Sequence, residues 1–190
     1  MPRAGLDAAT VAEAAAAVSD ETGIDRLSMN LVAERLGVKT PSLYKHVDSL
    51  AALTRQIAVI GANQMGDALR DAVQGVSGRD ALAAAAHAFR AFVKQYPGRY
   101  AATTGARPTG PDDELAPALR RGLDPLRAVL RGYQLDDTQE IHSLRMIRSV
   151  LHGFADLERS DGFQYATDVD ETFAWMIDFI DQGLSGKVTT

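Results

Sequence analysis

Residues 31–47 read LVAERLGVKTPSLYKHV. The first half is a small helix with Leu31, Val32 and Leu36 on one side. Gly37 ends it, and most side chains beyond it that are not needed for packing carry a hydrogen-bond donor: Lys39, Thr40, Ser42, Tyr44, Lys45 and His46. Thr40-Pro41 opens a further helix, with threonine as N-cap and proline at the first helical position, and that helix reaches about His46. At about 100° per residue, Leu43 and Val47 fall on one side and pack against Val32 and Leu36. Pro41, Ser42, Lys45 and His46 face the other way, with Thr40 and Tyr44 on the flank. Ala33 allows close approach and Gly37 supplies the turn. Two short helices joined in this way form a helix-turn-helix, whose second helix enters the DNA major groove with its N-terminal residues first.

The side chains suit that task. Lys39 and Lys45 release counterions from phosphates. Ser28, Tyr44 and His46 offer donors to phosphate oxygens, which fix register without reading sequence. Thr40, Pro41 and Ser42 stand where base edges would be, and Asn30, on the first turn of the preceding helix, is in reach of a base or a phosphate. Charge is distributed to match. The chain has a formal net charge of −5, yet residues 26–47 hold Arg26, Arg35, Lys39 and Lys45 against Glu34 alone. A local basic patch on an acidic chain points to nucleic acid.

The rest of the chain reads as helix. It has 190 residues, 46% hydrophobic and 24% charged, enough to bury a sizeable core. Aromatics are few and alanine is plentiful, which favours helices over sheets. There is no cysteine, which excludes disulfides and a cysteine-built zinc site. The first 30 residues carry Asp7, Glu13, Asp20 and Glu21 and no continuous apolar run, so no signal peptide is expected. No apolar run of about 18 residues could cross a bilayer. The expectation is a soluble, cytoplasmic protein with no membrane partner. Helices are expected at about 7–22, 29–36, 40–46, 50–73, 78–95, 112–132, 136–158 and 168–184. Pro97-Gly98 interrupts the pattern, and GARPTGP at 105–111 is a loop. The fold class is therefore all-α: an N-terminal three-helix DNA-binding domain with a helix-turn-helix, residues 1–47, then a larger helical bundle, residues 48–190.

LSMNLVAERLGVKTPSLYKHV, residues 27–47, resembles the DNA-binding segment of the TetR family of bacterial transcriptional regulators. In that family a leucine-glycine turn precedes a Ser-Leu-Tyr-x-His core, here Ser42-Leu43-Tyr44-Lys45-His46. LHGFADLERSDGF, residues 151–163, resembles one C-terminal subtype of the family. The resemblance implies a homodimer, a palindromic double-stranded DNA operator, and release by a small-molecule effector. Two positions depart from the family pattern. Leu50 stands where a phosphate-contacting Lys is common, and Asn30 where Arg is common, so a shallow salt dependence is expected.

In the larger part, the last two helices have more apolar surface than one buried stripe needs. Val169, Phe173, Met176, Ile177, Ile180 and Leu184 form one face of the last helix, and Trp175 and Phe179 another. The helix before it carries Ile141, Leu144, Ile147, Leu151 and Phe154, with Gly153 permitting close approach. Two faces call for two partners, one of them a second subunit. The dimer interface is assigned to Leu151, Gly153, Phe154, Phe173, Trp175, Phe179 and Ile180. The effector pocket is assigned to Met65, Leu69, Phe89, Phe92 and Met146, with Arg145 facing an anionic group.

No metal site and no cofactor are expected, because His87, His142 and His152 are widely spaced and no phosphate loop or catalytic constellation appears. The expectation is a ligand-responsive DNA-binding regulator, a repressor, and not an enzyme. The alternative is a helical small-molecule-binding protein or enzyme with a vestigial helix-turn-helix. A sequence-independent architectural binder would need positive charge along the whole chain, and residues 48–190 hold 15 basic against 19 acidic side chains.

Overall fold

Short polar side chains start the helices. Asp7 accepts the Thr10 N–H at 2.7 Å, Ser28 that of Leu31 at 3.3 Å, and Ser49 that of Ala52 at 3.0 Å. Asp136 and Gln139 form a reciprocal capping box, and Asp168 takes the N–H groups of Asp170 and Glu171. The computed structural model describes residues 6–110 and 112–186. Its helices are α1 Ala8–Thr22, α2 Met29–Leu36, α3 Thr40–Leu43, α4 Leu50–Ala72, α5 Gly78–Gln95, α6 Pro97–Gly105, α7 Leu115–Leu130, α8 Asp137–Arg159 and α9 Val169–Ser185. Single 3-10 turns lie at Ile24–Arg26 and Arg131–Tyr133, and among the described residues there is no strand. The chain is all-α as expected. Among the described residues, no helix is long and apolar enough to cross a membrane.

Two local readings need correcting. The stretch after Gln95, taken as an interruption, is a helix of its own, because Pro97 breaks α5 yet is well placed in the first turn of α6. The expected third helix is a single turn, with Lys39 rather than Thr40 at its N-cap. Past Leu43 the chain tightens, and the N–H of His46 and of Val47 both reach the Leu43 carbonyl.

The chain forms two compact units. The first is Met1–Gln64 with Gln95–Leu119, the second Met65–Lys94 with Arg120–Thr190. The core of the first unit gathers Val11, Ala15, Val32, Leu43, Leu53, Ile57 and Ala102, each at most 5% exposed. Glycine lets its helices close up. A methyl group at Gly98 would lie 2.2 Å from the carbonyl carbon and oxygen of Ser19, so α6 crosses α1 backbone to backbone. One at Gly61 would lie 2.6 Å from Thr103 Oγ1, against α6 from the other side. Asp20 of α1 then caps α6 from outside, accepting the N–H of Arg99 at 2.9 Å and that of Gly98. Burial pushes the Asp20 carboxyl up, while those N–H groups and the Arg99 guanidinium pull it down. Arg99, itself buried, bonds Gln64 at 3.0 Å and lies 3.3 Å from Asp20 and 3.4 Å from Glu13, so α1, α4 and α6 share one polar knot.

The second unit buries Leu82, Phe89, Leu144, Ile147, Leu151, Phe154, Phe173, Ile177 and Leu184. Arg90 of α5, 8% exposed, ties it together. Its guanidinium grips Glu158 of α8 through two bonds of 2.7 and 2.5 Å and reaches Asp170 of α9 at 2.7 Å. It also lies over the Phe173 ring at 4.7 Å. Together with Lys94, Arg90 holds the Glu158 carboxyl below its ordinary range.

Candidate nucleic-acid interface

The helix-turn-helix is built as its apolar pattern requires. Leu43 and Val47 are buried with Val32, and half-buried Leu36 packs against the same core. Gly37 is left-handed, at φ 65° and ψ 32°. Its N–H bonds the Glu34 carbonyl and that of Val38 bonds Ala33, which closes α2 and turns the chain into α3. Any side chain with a Cβ would strain that φ.

On this frame Asn30, Lys39, Pro41, Tyr44 and Lys45 are exposed, and Ser28, Thr40, Ser42 and His46 are half-buried. Tyr44, 54% exposed, projects further than a flank position suggested, while Ser42 and His46 are sunk deeper. The difference follows from the one-turn helix, whose tightened end does not keep the 100° spacing past Leu43. Ser28 Oγ serves as the α2 cap and keeps its own proton for a partner. Thr40 Oγ1 donates to Asn30 Oδ1 at 2.8 Å, joining α3 to α2.

Two of the four basic side chains of residues 26–47 are engaged within the chain. Arg35 pairs with Glu21 of α1, and Arg26 donates to the Thr22 carbonyl at 2.5 Å. Lys39 and Lys45 remain exposed and enter no ion pair among the described residues. Asp7, on the same unit, is held below its ordinary value chiefly by the N–H and hydroxyl of Thr10, with a smaller contribution from His46.

Comparison with known proteins bears on this arrangement. Residues 11–57 match the model described as "Bacterial regulatory proteins, tetR family", and residues 82–180 match "Tetracyclin repressor-like, C-terminal domain". An HTH-type transcriptional regulator of Mycobacterium tuberculosis is 34% identical over 186 residues, 98% of this chain and 85% of that protein. The chain belongs to the TetR family. The HTH-type transcriptional regulator YobS of Bacillus subtilis is 30% identical over 180 residues, 93% of this chain and 91% of its own. Two solved structures share the fold. A protein of unknown function from Rhodococcus sp. RHA1 has a TM-score of 0.81 at 22% identity, covering 97% of this chain and 99% of that one. A TetR variant from Acinetobacter baumannii AYE in complex with minocycline has 0.71 at 24%, covering 98% and 100%. Membership in the TetR family makes the chain a ligand-responsive DNA-binding regulator rather than an enzyme.

The residues expected at a TetR-type pocket and dimer face separate into two sets. Leu69, Phe89 and Phe92 are buried and Met65 is half-buried, but Arg145 and Met146 are exposed. On α8 the buried stripe is Leu144, Ile147, Leu151 and Phe154, which turns Arg145, Met146 and Arg148 outward. Arg145 and Met146 are therefore not buried or half-buried as the other four are. Met146 instead borders an open groove of about 380 Å³ between α8 and α9, with Leu135, His142, Phe179 and Ile180.

The expected dimer face mixes two stripes. Leu151, Phe154, Phe173 and Ile180 are at most 7% exposed within one chain, with the Phe154 and Phe173 rings 4.8 Å apart, so they form core. Gly153 faces open space and brings no neighbour close within the chain. Trp175 and Phe179, 66% and 64% exposed, stack on each other at 5.4 Å, and Ile141, Met146 and Leu157 of α8 are exposed as well. Sequence reading placed Ile141 with the core stripe and left out Leu157. A sharper signal lay in α8 itself, where Ile141 is three residues before Leu144 but six before Ile147, off the arc that the buried residues share.

Proposed function

We propose that this chain is a homodimeric repressor that leaves a two-fold symmetric DNA operator in the cytoplasm when a small molecule binds its helical bundle. Residues 1–47 carry the DNA contacts, made by Ser28, Asn30, Lys39, Thr40, Pro41, Ser42, Tyr44, Lys45 and His46. Residues 48–190 carry dimerisation and the effector. One observation supports this reading above others: exposed donors cluster around α3 on an apolar frame, with neither Lys39 nor Lys45 in an ion pair among the described residues.

Dimerisation is supported by the stacked, exposed Trp175 and Phe179 of α9, with exposed Met146 of α8 bordering the same groove as Phe179, an apolar face left uncovered among the described residues. A two-fold axis there gives two recognition elements, and a dimer of this class reads half-sites about one helical turn apart. The pocket is assigned to Met65, Leu69, Phe89 and Phe92, all in the second unit. The similar Acinetobacter TetR variant was solved with minocycline, which fits a small-molecule effector here. With Arg145 outward, the ground for an anionic effector is gone. Release works by population shift, so the effector must bind the DNA-incompetent form more tightly than the competent one.

The test is selection of duplexes from a random pool by the full-length protein under excess competitor. The proposal expects a two-fold symmetric sequence with half-site centres about 10 base pairs, or a multiple, apart. An asymmetric site, or one chain bound per duplex, contradicts it.

A further inference from the structure

The hydrogen bond from Thr40 to Asn30 changes what either residue can offer to DNA. Thr40 is the first residue of α3 and is half-buried; Asn30 is the second residue of α2 and is exposed. Their side chains meet at 2.8 Å, with Thr40 Oγ1 donating to Asn30 Oδ1. A hydroxyl has one proton, and this one is spent inside the protein. Thr40 therefore shows DNA only a methyl group and lone pairs. The carboxamide, tethered through its oxygen, keeps its two Nδ2 protons for a partner.

We propose that Thr40 and Asn30 form one reading unit, in which Thr40 positions Asn30 as a donor and so selects a base that offers acceptors on its major-groove edge. This rests on the DNA-binding reading above. An untethered asparagine pairs best with adenine, because it accepts from N6 with its oxygen while donating to N7. Here one lone pair of that oxygen accepts from Thr40, which holds the oxygen toward α3 and competes with the bidentate adenine geometry. The Nδ2 N–H groups instead suit guanine, whose O6 and N7 are both acceptors, or the O4 of thymine.

The chemistry predicts three different specificities from three near-isosteric changes. Thr40→Val keeps the shape and the methyl group but frees Asn30 Oδ1, so preference at one operator position shifts from guanine or thymine toward adenine. Asn30→Asp keeps the acceptor for Thr40 but removes the Nδ2 protons, which moves preference at that position toward cytosine, whose N4 donates. Thr40→Ser keeps the hydroxyl and keeps the wild-type preference.

The experiment selects duplexes from a random pool with wild type and with each variant, then measures affinity for the winning site and its single-base substitutions. Unfolding midpoints check that all four proteins remain folded. The expected result is a change of roughly 5- to 100-fold in base preference at one position, the same for Thr40→Val and Asn30→Asp. The double variant should be no worse than Asn30→Asp alone.

Independent, multiplicative effects of the two changes at different positions overturn the proposal. So does uniform weakening at every position, which would make Asn30 a phosphate contact. A wild type that enriches no sequence overturns the DNA-binding reading itself, and this proposal with it; enrichment without a shift in Thr40→Val overturns only the pairing.

Discussion

Among single residues, the charges decide most. Four basic side chains lie between 26 and 47, but Arg35 is committed to Glu21 and Arg26 to a backbone carbonyl of α1. Sequence could show the cluster; it could not show that Arg35 holds α1 to the helix-turn-helix, since Glu21 is 14 residues from it. With Lys39 and Lys45 as the phosphate contacts proposed above, a dimer would set four ammonium groups on phosphate. Counterion release then gives a slope of log affinity against log salt near −0.9 for each, roughly −3 to −4 in all. Leu50 is exposed at the first residue of α4, beside the proposed DNA contacts in sequence. Leu50→Lys should steepen that slope by about 2 per dimer and raise affinity at low salt. A titration of operator binding over 50–300 mM salt, roughly the range where such slopes are linear, checks both values.

At the scale of elements, α6 carries the lesson. Its presence was hidden because Pro97-Gly98 is a breaker pair in any local reading. Three-dimensional context reverses its meaning: proline starts the helix, and glycine is the only residue that fits against the Ser19 carbonyl. Gly98→Ala should cost at least about 2 kcal/mol, because a contact of 2.2 Å to backbone cannot be relieved by a rotamer change. Urea unfolding measures it, and an unchanged midpoint would mean that α6 does not sit where described. Helices α1, α2, α8 and α9 were legible to within a residue or two, since caps and apolar spacing agree there. Which apolar stripe of α9 faces inward was not legible, because both stripes carry large side chains. The structure resolves this by burying Phe173, Ile177, Ile180 and Leu184 and leaving Trp175 and Phe179 out. Trp175→Glu with Phe179→Glu should leave a folded chain that sediments as a monomer and binds operator at least about tenfold more weakly. A dimer that persists would place the interface elsewhere.

For the whole molecule, ionisation links stability to pH. Glu158, Asp113 and Asp67 are held below ordinary carboxylate values, by Arg90, by backbone N–H groups of Thr109 and Leu115, and by Arg121 respectively. A depressed carboxyl adds stability that is complete above its unfolded value, 3.8 for Asp and 4.5 for Glu, and is lost as pH falls through the folded value. Asp20 acts in the opposite sense. Burial raises it, so its ionised form weakens the fold, and that cost is relieved as pH falls from its raised value toward 3.8. With Asp7, which Thr10 also holds low, four groups against one predict net loss of stability below about pH 4. Glu158→Gln should flatten the fall in urea midpoint across that range, and an equally steep profile would remove Glu158 from the account. The central claim is that the exposed donors around α3 bind DNA. The most direct measurement compares wild type with the Tyr44→Ala, Lys45→Ala double variant on the selected duplex under competitor, with thermal unfolding recorded for both. The account predicts equal folding and a loss of binding of about a hundredfold or more, from a lost donor and a lost phosphate charge on each of two chains. Binding that survives in a well-folded variant would contradict it and move the nucleic-acid interface away from residues 39–46.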